Sequence, residues 1–177
     1  AFYGPKIDIF VPDALGRDWQ LGTVQLDFSL PERFDLEYAA EDGTRKRPVV
    51  VHRAMYGTLE RFLGVLIEHL AGAFSLWMAP VQAVVVPIAD RHNEFCHEIG
   101  TKLRAADLRV EVDDSNDRMN SKIRQAQLQK VPYMLVVGDR EIEAGAAAVR
   151  TRTGEDLGAI PVGEIVDMLT KQVADKS

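Results

Sequence analysis

The sequence lacks several residues and patterns, and each absence excludes a class of protein. Cys96 is the only cysteine in 177 residues, so no internal disulfide can form, and a reducing compartment is favoured. No apolar run approaches the roughly 18 residues that span a membrane, and no signal-peptide pattern is present. The formal net charge of −6 is untypical of a protein that binds nucleic acid over a generally basic surface. We therefore expect a cytoplasmic protein with no membrane partner, in which any RNA contact comes from a local basic patch.

The chain also lacks an initiator methionine, since it begins at Ala1; we expect it to be a piece of a longer protein. The hydrophobic content of 46% is sufficient for one large domain or two small ones. One seam divides the pattern, where a helix ends at Pro80. We predict a first domain over 1–77 and a second over 78–177.

The hydrophobic pattern predicts an α/β protein, which is α+β when the whole chain is considered. In the first domain we predict strands at 2–10, 19–28 and 48–52, followed by a helix from Thr58 to about Leu70. The helix has a predicted core stripe at Leu59, Phe62, Leu63, Leu66 and Leu70. The second domain reads as β-α-β-α-β-β-α, with strands at 81–88, 108–112, 133–137 and 146–151 and a last helix at 161–173. Asp90 and Asp117 are the predicted N-caps of its first two helices.

The passage from the third strand into the helix has the features of a functional site. Gly57 marks the break between strand and helix, Thr58 is a plausible N-cap, and Arg61 falls in the first helical turn. A cation beside the free N–H groups of a helix terminus favours a polyphosphate. His52, at the end of the strand, is a possible metal ligand or general base.

A local basic segment lies in the second domain. Between 117 and 152 there are seven basic and four acidic side chains, a net charge of +3. Such an excess is suited to RNA phosphates, although many charged segments are only solvated surfaces.

Several segments resemble the C-terminal part of the enzymes of the threonyl-tRNA synthetase family, which belong to class II. In the first domain these are AFYGPKI (1–7), WQLGTVQLDF (19–28) and HRAMYGTLERF (52–62); VPYMLVVGD (131–139) and AVRTR (148–152) resemble that family's anticodon-binding domain. The resemblance covers essentially the whole chain in order. It implies part of a class II antiparallel sheet with a helix, followed by a small mixed-sheet α/β domain.

The resemblance implies a threonine–tRNA ligase, which uses ATP with Mg²⁺ to form threonyl-adenylate and transfers the threonyl group to the 3′ end of tRNA(Thr). It further implies a homodimer and a bound Zn²⁺, of which His52 would be one protein ligand. A zinc site that binds the hydroxyl of threonine rejects valine, which has no hydroxyl.

The resemblance also implies roles for individual residues. Arg61 matches an arginine that contacts the γ-phosphate of ATP, and Thr58 stands where the family often has serine. Gln20 and Thr23 match positions in the adenosine pocket, Tyr3 and Gln25 match positions facing threonine, and Lys6 lies near the substrates. In the second domain, Glu141 and Arg150 match residues that read anticodon bases, with Asn116 and Arg140 close by.

The first and second class II motifs and the other zinc ligands have no counterpart in these residues. We therefore expect this chain alone to be inactive. An alternative is an anticodon-binding or accessory module with a decayed synthetase remnant; a weaker one is a synthetase for proline or histidine.

Overall fold

The computed structural model describes residues 2–176, and the outermost residues of the two predicted domains, Ala1 and Ser177, lie outside this range. The chain divides into two compact units, Ala1–Ala71 and Gly72–Ser177. The division precedes the predicted boundary after 77 because the intervening segment bonds to the second unit. Arg109 donates to the carbonyl oxygens of Trp77 and Ala79. No helix among the described residues is long and apolar enough to cross a membrane.

The first unit is built around a three-stranded antiparallel sheet with the order β1-β2-β5. A short helix and a small hairpin separate the second and third strands of this sheet, and a longer helix follows them. The elements are β1 (Lys6–Pro12), β2 (Asp18–Asp27), α1 (Ser29–Arg33), β3 (Tyr38–Ala39), β4 (Arg45–Lys46), β5 (Val50–Ala54) and α2 (Leu59–His69). The three predicted strands are confirmed, with bounds shifted by a few residues.

The strand register sorts the side chains of this sheet onto two faces. Lys6 pairs with Gln25, which pairs in turn with His52. Directly opposed residues of antiparallel strands lie on the same face, so these three form one polar row. On the other face, Val24 lies between Ile7 and Arg53.

Helix α2 begins where the sequence predicts. Gly57 has a φ of 67°, a left-handed conformation that glycine adopts readily, and the Thr58 hydroxyl accepts a hydrogen bond from the Arg61 backbone N–H at 3.3 Å. The predicted core stripe is confirmed only in part, because Phe62, Leu66 and Leu70 are half-buried, whereas Leu59 and Leu63 are 67% and 41% exposed. No residue of α2 is fully buried. A three-stranded sheet offers too little surface to cover the apolar face of this helix.

The second unit is a mixed sheet with helices on both faces, in the order β10-β9-β8-β6-β7. Strands β6, β7 and β8 are parallel to one another. Strand β9 pairs antiparallel with β8, and β10 pairs antiparallel with β9. The elements are β6 (Ala83–Pro87), a 3-10 turn (Asp90–His92), α3 (Asn93–Ala105), β7 (Val110–Val112), α4 (Met119–Leu128), β8 (Tyr133–Val137), α5 (Asp139–Ala144), β9 (Ala146–Thr151), β10 (Asp156–Pro161) and α6 (Val162–Ala174). The predicted fold class is confirmed.

Two predicted caps are wrong. Asp90 is the first residue of the 3-10 turn, and the ring nitrogen Nδ1 of His92 accepts the Ala89 backbone N–H there. The N-cap of α4 is Arg118, with no side-chain cap, so Asp117 lies before the helix. The sequence pattern also did not predict α5 or β10.

Alternate residues of the central strands supply two hydrophobic cores. Val85 and Leu135 pack with α3 and α6, while Val86 and Met134 pack with α4. This unit therefore has its own buried core on each face of the sheet.

Candidate functional site

Asp8 is the centre of a polar network on the first unit's sheet. Its Oδ1 accepts from Nε2 of Gln20 at 2.7 Å and from the hydroxyl of Thr23 at 2.8 Å. Its Oδ2 lies 2.6 Å from Nζ of Lys6, and the Asp8 side chain is only 14% exposed. Hydrogen bonds from Lys6 and Thr23 lower the pKa of the Asp8 carboxyl. Asp8 is therefore an ionised acceptor at neutral pH.

Arg61 is tied to the same network through the backbone. Its Nη1 donates to the carbonyl oxygen of Gln20 at 2.9 Å, while the residue as a whole is exposed. Thr58 caps the helix that carries it. The guanidinium thus lies at the positive end of the helix dipole, accessible to an anion.

His52 is oriented by a buried carboxylate. Its Nε2 lies 3.0 Å from Oδ2 of Asp27, which is 5% exposed. The other oxygen of Asp27 accepts the backbone N–H groups of Ser29 and Leu30. The Leu30 N–H, and to a lesser extent His52, lower the pKa of the Asp27 carboxyl. A neutral imidazole that donates through Nε2 leaves Nδ1 free to act as a ligand.

The residues described by the structure do not by themselves complete a metal site. Within 2–176, no group of three or more His, Cys, Asp or Glu side chains is placed to hold a metal ion. His52 fits the role of a single ligand with a carboxylate partner, whereas protein zinc sites use three or four protein ligands.

Gln25 lies between Lys6 and His52 in the register, so the sheet places it among the other candidate residues. The carbonyl oxygen of Tyr3 accepts the backbone N–H of Phe28, the residue after β2, at 3.0 Å. The Tyr3 ring packs edge-on against Phe2. The structure thus gathers six candidate residues on or beside one sheet face: Lys6, Gln20, Thr23, Gln25, His52 and Arg61. Among the described residues, the Tyr3 side chain forms no hydrogen bond with any of them.

In the second unit, three of the four candidate residues lie at the edge where the parallel strands end. Asn116 is exposed in the loop after β7, and Arg140 is exposed in α5. Glu141 caps its own helix, because its Oε2 accepts the Gly138 backbone N–H at 2.9 Å. One carboxylate oxygen of Glu141 thus remains for a ligand.

Arg150 lies elsewhere on the same sheet. It pairs in the register with Met134, near the start of β8, whereas Glu141 follows the end of that strand. Its Nη2 contacts Asp156 at 3.1 Å, and its buried Nε has no hydrogen-bond partner among the described residues. The structure therefore does not bring Arg150 into contact with the other three.

Sequence reasoning missed the carboxylates that hold these sites together. Two of them are Asp8 and Asp27. The third is Asp139, which accepts a bidentate pair of hydrogen bonds from Arg91 and one hydrogen bond from His92. These contacts hold its pKa well below the usual range. For Asp8 and Asp27, the alternation of polar residues along the strands indicates which sheet face each side chain occupies. It does not indicate which side chain each carboxylate binds.

Two family descriptions match the chain. "tRNA synthetase class II core domain (G, H, P, S and T)" matches residues 1–70, and "Anticodon binding domain" matches residues 82–172. These matches fall within the first and second structural units, respectively.

Relatives named threonine–tRNA ligase match over the full chain. The protein of Desulforamulus reducens is 55% identical over 177 residues, and that of Acidobacterium capsulatum is 57% identical. The chain spans only 28% and 26% of their lengths. A crystal structure of the RNA binding domain of threonyl-tRNA synthetase from Cryptosporidium parvum matches with a TM-score of 0.86 and 38% identity, over 97% of this chain and 44% of that one.

Proposed function

Because this chain belongs to the threonyl-tRNA synthetase family, we propose that it forms part of a threonine–tRNA ligase. In the first step the carboxylate of threonine attacks the α-phosphorus of ATP, which gives threonyl-adenylate and pyrophosphate. In the second step a hydroxyl of the tRNA's 3′-terminal adenosine attacks the acyl carbon and releases AMP. The chain spans about 28% of the length of such relatives, so the complete activity belongs to the longer protein.

The polar face of the first unit is assigned to the small substrates. Arg61 binds the γ-phosphate of ATP, where its accessible guanidinium and the helix terminus favour negative charge. Gln20, Thr23 and Thr58 line the ATP site. Lys6 lies near the substrates, and Tyr3 and Gln25 face threonine.

His52 is assigned to zinc as one ligand of a set completed outside these 177 residues. Asp27 holds Nε2 of the imidazole, so that the ring is oriented before the metal binds. The bound metal would supply a Lewis acid for the amino group and hydroxyl of threonine, and valine has no hydroxyl to offer it.

The second unit is assigned to the anticodon of tRNA(Thr). Arg150 and Glu141 offer a guanidinium and a carboxylate to the Watson–Crick edges of unpaired bases. Asn116 and Arg140, which are both exposed, are assigned to the same RNA contact. We further assign Mg²⁺ to ATP, a homodimeric state to the longer protein, and the cytoplasm as its location.

The attachment of Arg61 to Gln20, beside the Asp8 network, is the observation that carries this proposal. In the full-length protein, Arg61→Ala is expected to reduce threonine-dependent ATP–pyrophosphate exchange by about 100-fold, because one charge-stabilising group is lost. Arg53→Ala is the matched control, because Arg53 lies on β5 on the face opposite His52. Equal loss in both variants, or no threonine dependence in the unmodified protein, would contradict the proposal.

A further inference from the structure

One carboxylate, that of Asp8, contacts three of the residues assigned to the substrates. Gln20 and Thr23 both donate to Oδ1, and the Lys6 ammonium lies against Oδ2. None of these three side chains is adjacent to Asp8 in the sequence. Strand pairing places Thr23 directly opposite Asp8, and a shift in register beyond Ile9 brings Gln20 into reach.

An ionised carboxylate determines which atoms its neighbours can offer to a ligand. It accepts hydrogen bonds and donates none, so the Gln20 amide must direct Nε2 toward Asp8. The carbonyl oxygen Oε1 of Gln20 then points away from Asp8. Thr23 has a single hydroxyl proton, which goes to Asp8 or to the carbonyl oxygen of Ile7 at 3.2 Å. What remains on the Thr23 oxygen is acceptor capacity.

We propose that Asp8 is a positioning residue that fixes Gln20 and Thr23 as hydrogen-bond acceptors facing the nucleoside of ATP. The site then selects ligand groups that donate, which in ATP are the ribose hydroxyls and the 6-amino group of adenine. A site built to bond such a group discriminates against an analogue without it, because its own polar atom is left unpaired. This inference rests on the proposed function of the first unit.

The test is ATP–pyrophosphate exchange by the full-length synthetase with four nucleotides: ATP, 2′-deoxy-ATP, 3′-deoxy-ATP and purine riboside triphosphate, which lacks the 6-amino group. The unmodified enzyme is expected to lose about tenfold or more in kcat/KM with at least one analogue. Loss with a deoxy analogue identifies a ribose hydroxyl as the donor, and loss with purine riboside triphosphate identifies the amino group.

In Asp8→Asn the side chain at position 8 can donate as well as accept, so the Gln20 amide is free to reverse. We expect the KM for ATP to rise about tenfold, with a smaller change in kcat, and the discrimination against that analogue to fall toward unity. A loss of stability alone would lower the amount of active enzyme without changing the ratio of kcat/KM for ATP to kcat/KM for the analogue.

Asp18→Asn is the matched control, because Asp18 is an exposed aspartate at the start of β2 whose side chain forms no hydrogen bond or ion pair among the described residues. It is expected to retain the unmodified KM and discrimination. Thr23→Val provides a second variant of nearly the same shape if Asp8→Asn does not fold, and it is expected to lose part of the same discrimination. If Asp8→Asn discriminates between ATP and that analogue as strongly as the unmodified enzyme does, the inference is overturned. If Asp8→Asn does not fold, the same result with Thr23→Val overturns it. An unmodified enzyme with no threonine-dependent exchange overturns the proposed function instead.

Discussion

Asp8 and Asp27 remain acceptors because each lies where several hydrogen-bond donors meet. Asp27 is buried, yet two backbone N–H groups and His52 surround its oxygens. Such donors stabilise the charged form and offset the cost of desolvation. The two carboxylates consequently orient functional side chains without needing to contact a substrate.

Cys96 has the opposite environment and is expected to be inert. It is fully buried in the hydrophobic core of the second unit, and burial raises the pKa of its thiol to about 12. The reactive thiolate is therefore scarce at pH 8. We expect Ellman's reagent to label the folded chain only slowly and to label one thiol rapidly after denaturation.

Cys96→Ser is the control for this experiment, because it removes the only thiol in the sequence and should give no signal even in denaturant. Complete labelling of the folded protein within seconds would contradict the burial of Cys96.

The sequence, through its resemblance to the synthetase family, names the candidate residues but not the hydrogen bonds between them. A strand pattern places Lys6 and Asp8 on one face, since they are two positions apart. It does not show that Gln20 and Thr23 share one carboxylate oxygen, because that depends on strand register and on the irregularity after Ile9. The cap formed by Glu141 likewise depends on α5, which the sequence reading left out.

Helix α2 depends on its N-cap more than a buried helix would, because none of its residues is buried. Thr58→Ala is expected to lower the free energy of unfolding of this helix by about 1 kcal/mol, through loss of the hydroxyl that accepts the Arg61 N–H. Amide hydrogen exchange in 59–69 measures this local change.

Thr58→Ser retains the capping hydroxyl and is the matched control, with exchange close to that of the unmodified chain. Equal exchange rates for the alanine and serine variants would show that the cap contributes nothing to α2.

Elements bounded by clear breaks were predictable, whereas short or irregular ones were not. Strands β8 and β9 have the predicted bounds, because Pro132 and Gly138 flank the first and Gly145 precedes the second. Strand β10 was missed, since Gly158 and a shift in register interrupt its alternation. Helix α5 has only 6 residues, too few for a helical period to stand out.

The two units differ in how they are stabilised. Every fully buried hydrophobic side chain in the described part of the chain lies between Leu76 and Leu169, in the second unit. In limited proteolysis we therefore expect cleavage within 1–71 first, and a resistant product that begins near 72.

Two substitutions test this difference. Ile165→Ala creates a cavity in the core of the second unit, where Ile165 is fully buried, and is expected to cost about 2–5 kcal/mol and expose the resistant product to cleavage. Leu59→Ala, at an exposed position, should leave that product intact. Cleavage of both units at equal rates in the unmodified chain would contradict the assignment of the core.

The most direct test of the family function is equilibrium binding of this chain to a tRNA(Thr) transcript and to the same transcript with a changed anticodon, each at two salt concentrations. If the second unit reads bases, changing the anticodon should weaken binding about tenfold or more at both salt concentrations. Equal affinity for the two transcripts, falling in parallel as salt rises, would indicate phosphate contacts alone and would contradict anticodon recognition.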